Sequence, residues 1–181
     1  MRLQAGDQAR PFDVRDTAGR SHSLDAYRGR PLLLQFYRYS GCPMCDLRMN
    51  DFAREYPAIE KLGVQVVAFF HSPAERLRNH LRRRALPFPV VADPTMAAYR
   101  AYGVESSVLR LFWSMVLPSF YVDWVRAMGQ GFWGSMSANM ATMPADFLIG
   151  ADQIIRRVHY GTDIGDHMTV DTIIEEARSL R

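Results

Sequence analysis

Three short apolar runs, set apart by helix-length stretches, constrain this chain more than any other feature. They are Pro31-Leu32-Leu33-Leu34-Gln35-Phe36-Tyr37, Val64-Gln65-Val66-Val67-Ala68-Phe69-Phe70 and Phe88-Pro89-Val90-Val91-Ala92. Each has the length and make-up of a strand buried in a parallel sheet. Between the first two, Leu47, Phe52, Tyr56 and Ile59 recur at helical spacing up to Leu62-Gly63, and Pro57 is expected to kink or break that helix. After the second, Ser72 reads as an N-cap, Pro73 as the first helical position and Glu75 as the partner in a capping box. Asp93-Pro94 opens a further helix that stops at Gly103. Asp16-Thr17-Ala18-Gly19-Arg20 turns a small N-terminal hairpin between Phe12–Val14 and Ser21–Leu24. Asp146–Ile149 and Ile154–Tyr160 flank a second turn, and a final helix runs from about Thr169 with Val170, Ile173, Ile174 and Ala177 on one face. Strands alternating with helices and closed by a hairpin predict a three-layer α/β fold with a mixed central sheet flanked by helices.

The 181 residues suffice for one domain, so 1–181 is expected to fold as a single unit. The pattern fails between Val104 and Thr142. There the chain carries Trp113, Trp124 and Trp133 together with Met115, Met128, Met136 and Met140. So long a stretch is not a plain loop, and 105–142 is expected to be a helical insertion with helices around Ser107–Met115 and Pro118–Met128. Its aromatic and methionine content reads as added core plus a subunit interface, with a lid over the cysteines as an alternative. A membrane-lying surface is the weaker reading, because Arg110, Asp123 and Arg126 interrupt it without an ordered polar face.

Apolar residues at 48% and charged ones at 23% are the ordinary globular mixture and exclude disordered, collagen-like and coiled-coil chains. The net charge of +3 comes from twenty-one arginines and one lysine, Lys61. The densest run, Arg76 to Arg84, places Leu77 and Leu81 four apart, so these face inward and the arginines face water. No groove-reading motif or aromatic platform accompanies the run, and nucleic acid is not expected as a partner. Without a run of 18 uncharged apolar residues or an apolar N-terminal core, neither a membrane span nor a secretory signal is expected, and the expected compartment is the reducing cytoplasm.

The chain holds two cysteines, in Cys42-Pro43-Met44-Cys45, where the first strand meets the first helix. Cysteines at i and i+3 on a helix sit about 5–6 Å apart at Cβ, within adjustment of disulfide geometry. The helix N-terminus turns free amides and the positive end of the dipole toward the first sulfur, which lowers a thiol pKa from ~8.5 to as little as ~3.5–7. Pro43 suits the first helical position, and Arg38 and Arg48 add positive potential. The permitted chemistry is reversible dithiol–disulfide exchange, with Cys42 as the exposed attacker and Cys45 as the resolving thiol. Zinc would need two more ligands, and His22, His71, His80, His159 and His167 show no ligand spacing. No metal or other cofactor is expected. Two inert core cysteines are the remaining structural reading.

Phe12, the Asp16–Gly19 turn, Leu24, Tyr27-Arg28-Gly29-Arg30-Pro31, Gln35-Phe36-Tyr37-Arg38, Gly41-Cys42-Pro43-Met44-Cys45 and Asp93-Pro94 together resemble the peroxiredoxin-like branch of the AhpC/TSA redoxins, a thioredoxin-fold group. The likeness covers roughly 6–104 and 143–178 and leaves out most of the Trp/Met segment. It implies a thioredoxin-like fold and a cis-proline at Pro144 facing the cysteines; the residues alone leave cis and trans open. It also implies that Cys45 attacks peroxide and passes through a sulfenic acid that Cys42 captures, with Arg38 stabilising the thiolate. The chain departs from the peroxiredoxin pattern at three places and from the thioredoxin pattern at one. Arg38 and Cys42 stand where peroxiredoxins carry the proline and the threonine or serine ahead of the attacking cysteine. No arginine lies beside Met143-Pro144, and Phe36 occupies the position of the buried acid of thioredoxins.

The expected function is a thiol-dependent oxidoreductase of the peroxiredoxin-like class, reducing peroxide through a Cys42/Cys45 cycle. Its disulfide would be re-reduced by a thioredoxin- or glutathione-type system, and a homodimer is the expected assembly. The alternatives are an oxidoreductase acting on protein disulfides and a non-catalytic binding module switched by redox state.

Overall fold

The structure, a computed structural model, describes residues 2–82, 84–132 and 140–180. β1 (Asp13–Arg15) and β2 (Ser21–Ser23) form the N-terminal hairpin, followed by a 3-10 turn at Asp25–Tyr27. β3 (Leu32–Tyr37), α1 (Pro43–Glu60), β4 (Gln65–Phe70), α2 (Ala74–Leu81) and β5 (Val90–Ala92) give the strand–helix alternation read from the sequence, and α3 (Ala97–Ala101) follows. α4 (Val108–Val116) and α5 (Pro118–Gly129) occupy the insertion, and β6 (Ala145–Ile149), β7 (Ile155–Tyr160) and α6 (Val170–Arg178) close the fold. The strands lie in the order β5-β4-β3-β6-β7, the first three parallel and the last two antiparallel. The mixed sheet flanked by helices is the one expected.

β3 sits at the centre with all six residues buried, which is why its sequence is an unbroken apolar run. Its alternation divides the interior into two cores. Leu33 and Tyr37 face α1 and α6, with Phe52, Ile59 and Ile173. Leu32, Leu34 and Phe36 face the other side, with Phe69, Tyr99, Tyr102 and Phe147. The Tyr99 hydroxyl donates to the Tyr37 and Phe69 carbonyls at 2.5 and 2.9 Å and so clamps the C-terminal ends of β3 and β4, where the chain turns toward α1.

Three local expectations are corrected. α1 runs through Pro57 to Glu60 without a break. Pro57 lies on the exposed side between buried Tyr56 and Ile59, and the packed face carries the helix past the hydrogen bond that the proline cannot make. Ser72 does not cap α2, whose N-cap is Pro73. Its buried hydroxyl instead accepts from the Ser40 amide at 2.9 Å and pairs with the Ser40 hydroxyl at 3.0 Å. A buried amide has a stronger claim on that oxygen than a helix end open to solvent. α3 starts at Ala97 rather than at Asp93-Pro94, because Met96 adopts φ 56°. The Asp93 carboxylate still serves the helix start, taking the Ala97 and Ala98 amides at 3.0 and 2.8 Å.

The insertion is helical where expected over its described part; Trp133 and Met136 lie outside the described residues. Its two ends are stitched together, the Ser107 amide to the Ala141 carbonyl at 2.7 Å and the Met143 amide to the Glu105 carbonyl at 3.0 Å. That closure delivers the chain to β6 beside the end of β3.

Candidate active site

The turn from β3 into α1 carries Arg38 to Cys42. Gly41 adopts φ 84°, a left-handed conformation open to glycine, and brings Cys42 to the N-cap with its carbonyl accepting the Asp46 amide at 2.9 Å. The Ser72–Ser40 bonds and a 2.8 Å bond from the His71 amide to the Arg38 carbonyl hold this turn from the β4 side.

Cys42 and Cys45 are free thiols, each less than 3% exposed. The expectation of an exposed Cys42 is therefore corrected. Met115, Phe120, Trp124, Met140 and Ile164 roof a cavity of about 290 Å³ whose floor is Arg38, Tyr39, Cys42 and Pro43. The insertion thus encloses the sulfur, leaving a small, mostly apolar chamber as its approach.

The Arg38 side chain is 3% exposed. Its Nε donates to the Thr142 carbonyl at 3.1 Å, its Nη2 to the Met140 carbonyl, and its Nη1 to Cys42 Sγ at 3.3 Å. The guanidinium also lies 5.3 Å from the centroid of the Tyr39 ring. Among the described residues no carboxylate pairs with Arg38, so the group placed to balance this buried cation is the Cys42 sulfur.

The electrostatics follow. Burial pushes the Cys42 thiol up, but the Cys45 thiol donating to it, the Arg38 charge and the Cys45 amide outweigh that and bring it down to about 6, with Asp46 opposing. The Cys45 amide, in the first turn of α1, turns its dipole so as to favour the anion. Burial and the neighbouring Cys42 sulfur push Cys45 well up, keeping it protonated as the donor of the pair. Burial, aided by the Cys42 charge, also raises the Tyr39 hydroxyl to about 12.

Pro144 is buried just ahead of β6, and its carbonyl accepts the Gly161 amide at 2.9 Å. There is no cis peptide among the described residues, so Met143–Pro144 is trans, in an extended segment bonded on both sides. Arg48 is turned away from the sulfurs and donates to the Met168 carbonyl.

Several polar groups around the site were not visible in the sequence. Asp46, directly after Cys45, is 2% exposed and accepts from His80 at 2.8 Å and Arg84 at 2.7 Å. Arg84, one of the arginines read as facing water, and His80 therefore serve a buried carboxylate, while Leu77 and Leu81 face inward as expected. Asp146, opposite Gln35 in the sheet, receives His167 at 2.9 Å and the Met168 amide at 2.6 Å. The polar residue Gln35 inside an apolar strand was the one available hint of that buried pair.

An α/β sheet of this order, with a low-pKa cysteine at the start of the helix after its central strand, defines the thioredoxin-fold class of thiol redox proteins. Solved structures agree: the peroxidoxin BcpB of Mycobacterium tuberculosis superposes with a TM-score of 0.70 at 17% identity, over 99% of both chains. In sequence, a Mycobacterium tuberculosis protein assigned by name to the peroxiredoxins is 30% identical over 125 residues, 67% of this chain and 80% of that one. The thiol-disulfide oxidoreductase ResA of Geobacillus thermodenitrificans is 33% identical over 103 residues, 56% of this chain and 59% of its own. The AhpC/TSA family model matches residues 5–158, and the chain belongs to that family. It is a thiol-dependent oxidoreductase of the peroxiredoxin-like class.

Proposed function

We propose that the protein reduces peroxides with Cys42 as the attacking thiolate and Cys45 as the resolving thiol. The observation that carries this reading is the buried Arg38 guanidinium, which has the Cys42 sulfur and two carbonyls as partners and no carboxylate among the described residues. This reverses the order implied by the family resemblance, which makes Cys45 the attacker. In the first step the Cys42 thiolate attacks one peroxide oxygen and the O–O bond breaks. The departing alkoxide or hydroxide takes a proton and leaves as alcohol or water, and Cys42 becomes a sulfenic acid. Cys45 then gives up its proton and attacks the Cys42 sulfur. The S–S bond forms, and the hydroxyl leaves with that proton as water. Two electrons and two protons from a thioredoxin- or glutathione-type thiol system restore the dithiol.

Arg38 holds the thiolate through the first step. Pro144 is assigned a positioning role, since it belongs to the segment that turns the Thr142 carbonyl to Arg38. The small, mostly apolar, half-open cavity favours a small peroxide over a protein disulfide, which would have to pass Met115 and Trp124. Activity on protein disulfides, suggested by the likeness to ResA, therefore ranks second. The reducing cytoplasm belongs to this reading, because the cycle draws on a reducing thiol system. No described helix is long and apolar enough to cross a membrane.

Single-turnover mixing of reduced protein with hydrogen peroxide tests the reading. Cys42→Ser should abolish rapid thiol oxidation, whereas Cys45→Ser should still oxidise and accumulate a dimedone-reactive sulfenic acid at Cys42. Rapid oxidation of Cys45 in Cys42→Ser would restore the opposite order, and oxidation no faster than that of free cysteine would remove the peroxidase reading.

A further inference from the structure

Among the described residues every exposed large apolar side chain falls between Val108 and Val125, eleven in all. α4 and α5 turn Leu111, Phe120 and Ala127 toward the protein, and the Ser114 hydroxyl, which accepts the Ile164 amide at 3.2 Å, fixes α4 in place. The opposite faces repeat at helical spacing: Phe112, Trp113 and Val116 on α4, and Tyr121, Val122 and Val125 on α5. Phe112 and Trp113 keep 69% and 63% of their surface open. Eleven such residues present on the order of 1,000 Å² of apolar surface, against ~300–600 Å² for the largest patch on a typical monomer and ~800 Å² per partner in a standard stable interface.

We propose that this face of α4 and α5 is the contact by which two copies of the chain pair, and that the second copy completes the wall of the Cys42 cavity. The area matches what a stable dimer covers. The composition, six valines and leucines around two tryptophans with a phenylalanine, a tyrosine and a methionine and no charge among the eleven, is that of an interface core. A lipid surface fits less well. Arg126 at the edge is neutralised by Asp51 at 3.0 Å and Asp123 at 3.1 Å, whereas an interfacial helix needs a cationic fringe free for headgroups. A two-fold pairing uses the same patch on both copies, so one apolar face suffices. The link to the site is geometric: Met115 and Trp124 line the cavity over Cys42, yet are 50% and 46% exposed. A partner seated on them closes the cavity from outside.

Sedimentation of the full chain, with no peroxide present, tests this independently of the peroxidase reading. The wild type should run at twice the mass of one chain, and Phe112→Glu combined with Val122→Glu at one chain's mass with an unchanged far-UV circular dichroism spectrum. Val122→Glu alone, which should also shift the mass toward the monomer, serves if the double variant fails to fold. A wild type monomeric at every concentration overturns the proposal. So does a dimer that survives both glutamates, or a monomer that co-sediments with phosphatidylcholine–phosphatidylglycerol vesicles, which would identify a lipid surface as the occupant.

Discussion

A buried guanidinium with a sulfur as its nearest charge partner makes Arg38 the residue on which the site's electrostatics turn. With Cys42 brought down to about 6, its alkylation rate, followed site by site by mass spectrometry, should rise with pH to half its maximum near that value. Arg38→Gln removes the charge and should move the midpoint up toward ~8.5, the range of an ordinary thiol. Arg38→Lys, which keeps the charge but loses the fork that reaches Met140, Thr142 and Cys42 together, should land between the two. An unmoved midpoint in Arg38→Gln would leave the low pKa to the helix end and Cys45. The sign for stability follows from the same shift. A thiol lowered in the folded state stabilises it above the unfolded pKa, ~8.5, and that contribution disappears as pH falls through about 6. Reduced wild type should therefore lose stability relative to Cys42→Ser across that window in urea titrations at stepped pH. Of this residue-scale picture, Cys42, Cys45 and Arg38 were legible because they sit within eight positions of one another. The Met140 and Thr142 carbonyls, a hundred residues further on, carry no side-chain signature at all.

The elements were legible where periodicity and burial agree. β3 and β4 are apolar throughout because both faces are covered, and α6 shows its inward stripe and its Thr169 cap, whose hydroxyl accepts the Thr172 amide at 3.2 Å. They were misread where one residue had two possible partners. Ser72 and Glu75 have capping-box spacing, but nothing in the sequence says that a buried amide at Ser40 will take the Ser72 oxygen. Pro57 was misread for a different reason, since its effect depends on whether the helix has a packed face to hold it. That explanation has a measurable consequence. Because the exposed proline lacks the amide that would bond the carbonyl four residues back, Pro57→Ala should stabilise the protein by about 1–3 kcal/mol. The urea midpoint should rise with the far-UV spectrum unchanged. A loss of stability would mean that the ring, or the stiffness it gives the unfolded chain, matters more than the missing hydrogen bond.

At the scale of the whole molecule, the sheet separates the two cores and leaves the chemistry on one side. Cys42, Cys45, Met44 and Met143 belong to the core that includes α1 and α6, whereas Phe36, Phe69, Tyr102 and Phe147 fill the other. The division follows from strand alternation and was open to sequence reading. The roofing of Cys42 by α4 and α5 was open only as one reading beside core and interface, because aromatic and methionine residues signal burial or contact without saying against what. One consequence is that global stability and thiol reactivity should be separable. Phe147 is fully buried and meets the rings of Phe36, Tyr102 and Tyr160 at centroid distances of 5.7, 5.0 and 5.4 Å. Phe147→Ala should cost roughly 3–5 kcal/mol in denaturant unfolding. The adjacent Asp146 points to the other face, bonded to His167 and Met168, and β6 keeps its backbone pairing with β3. The Cys42 alkylation midpoint should therefore stay near about 6 while the protein remains folded. A midpoint that moves together with stability would show that the far core reaches the β3–α1 turn through Tyr99, whose ring packs in that core, contrary to a turn held locally by Ser72 and Gly41.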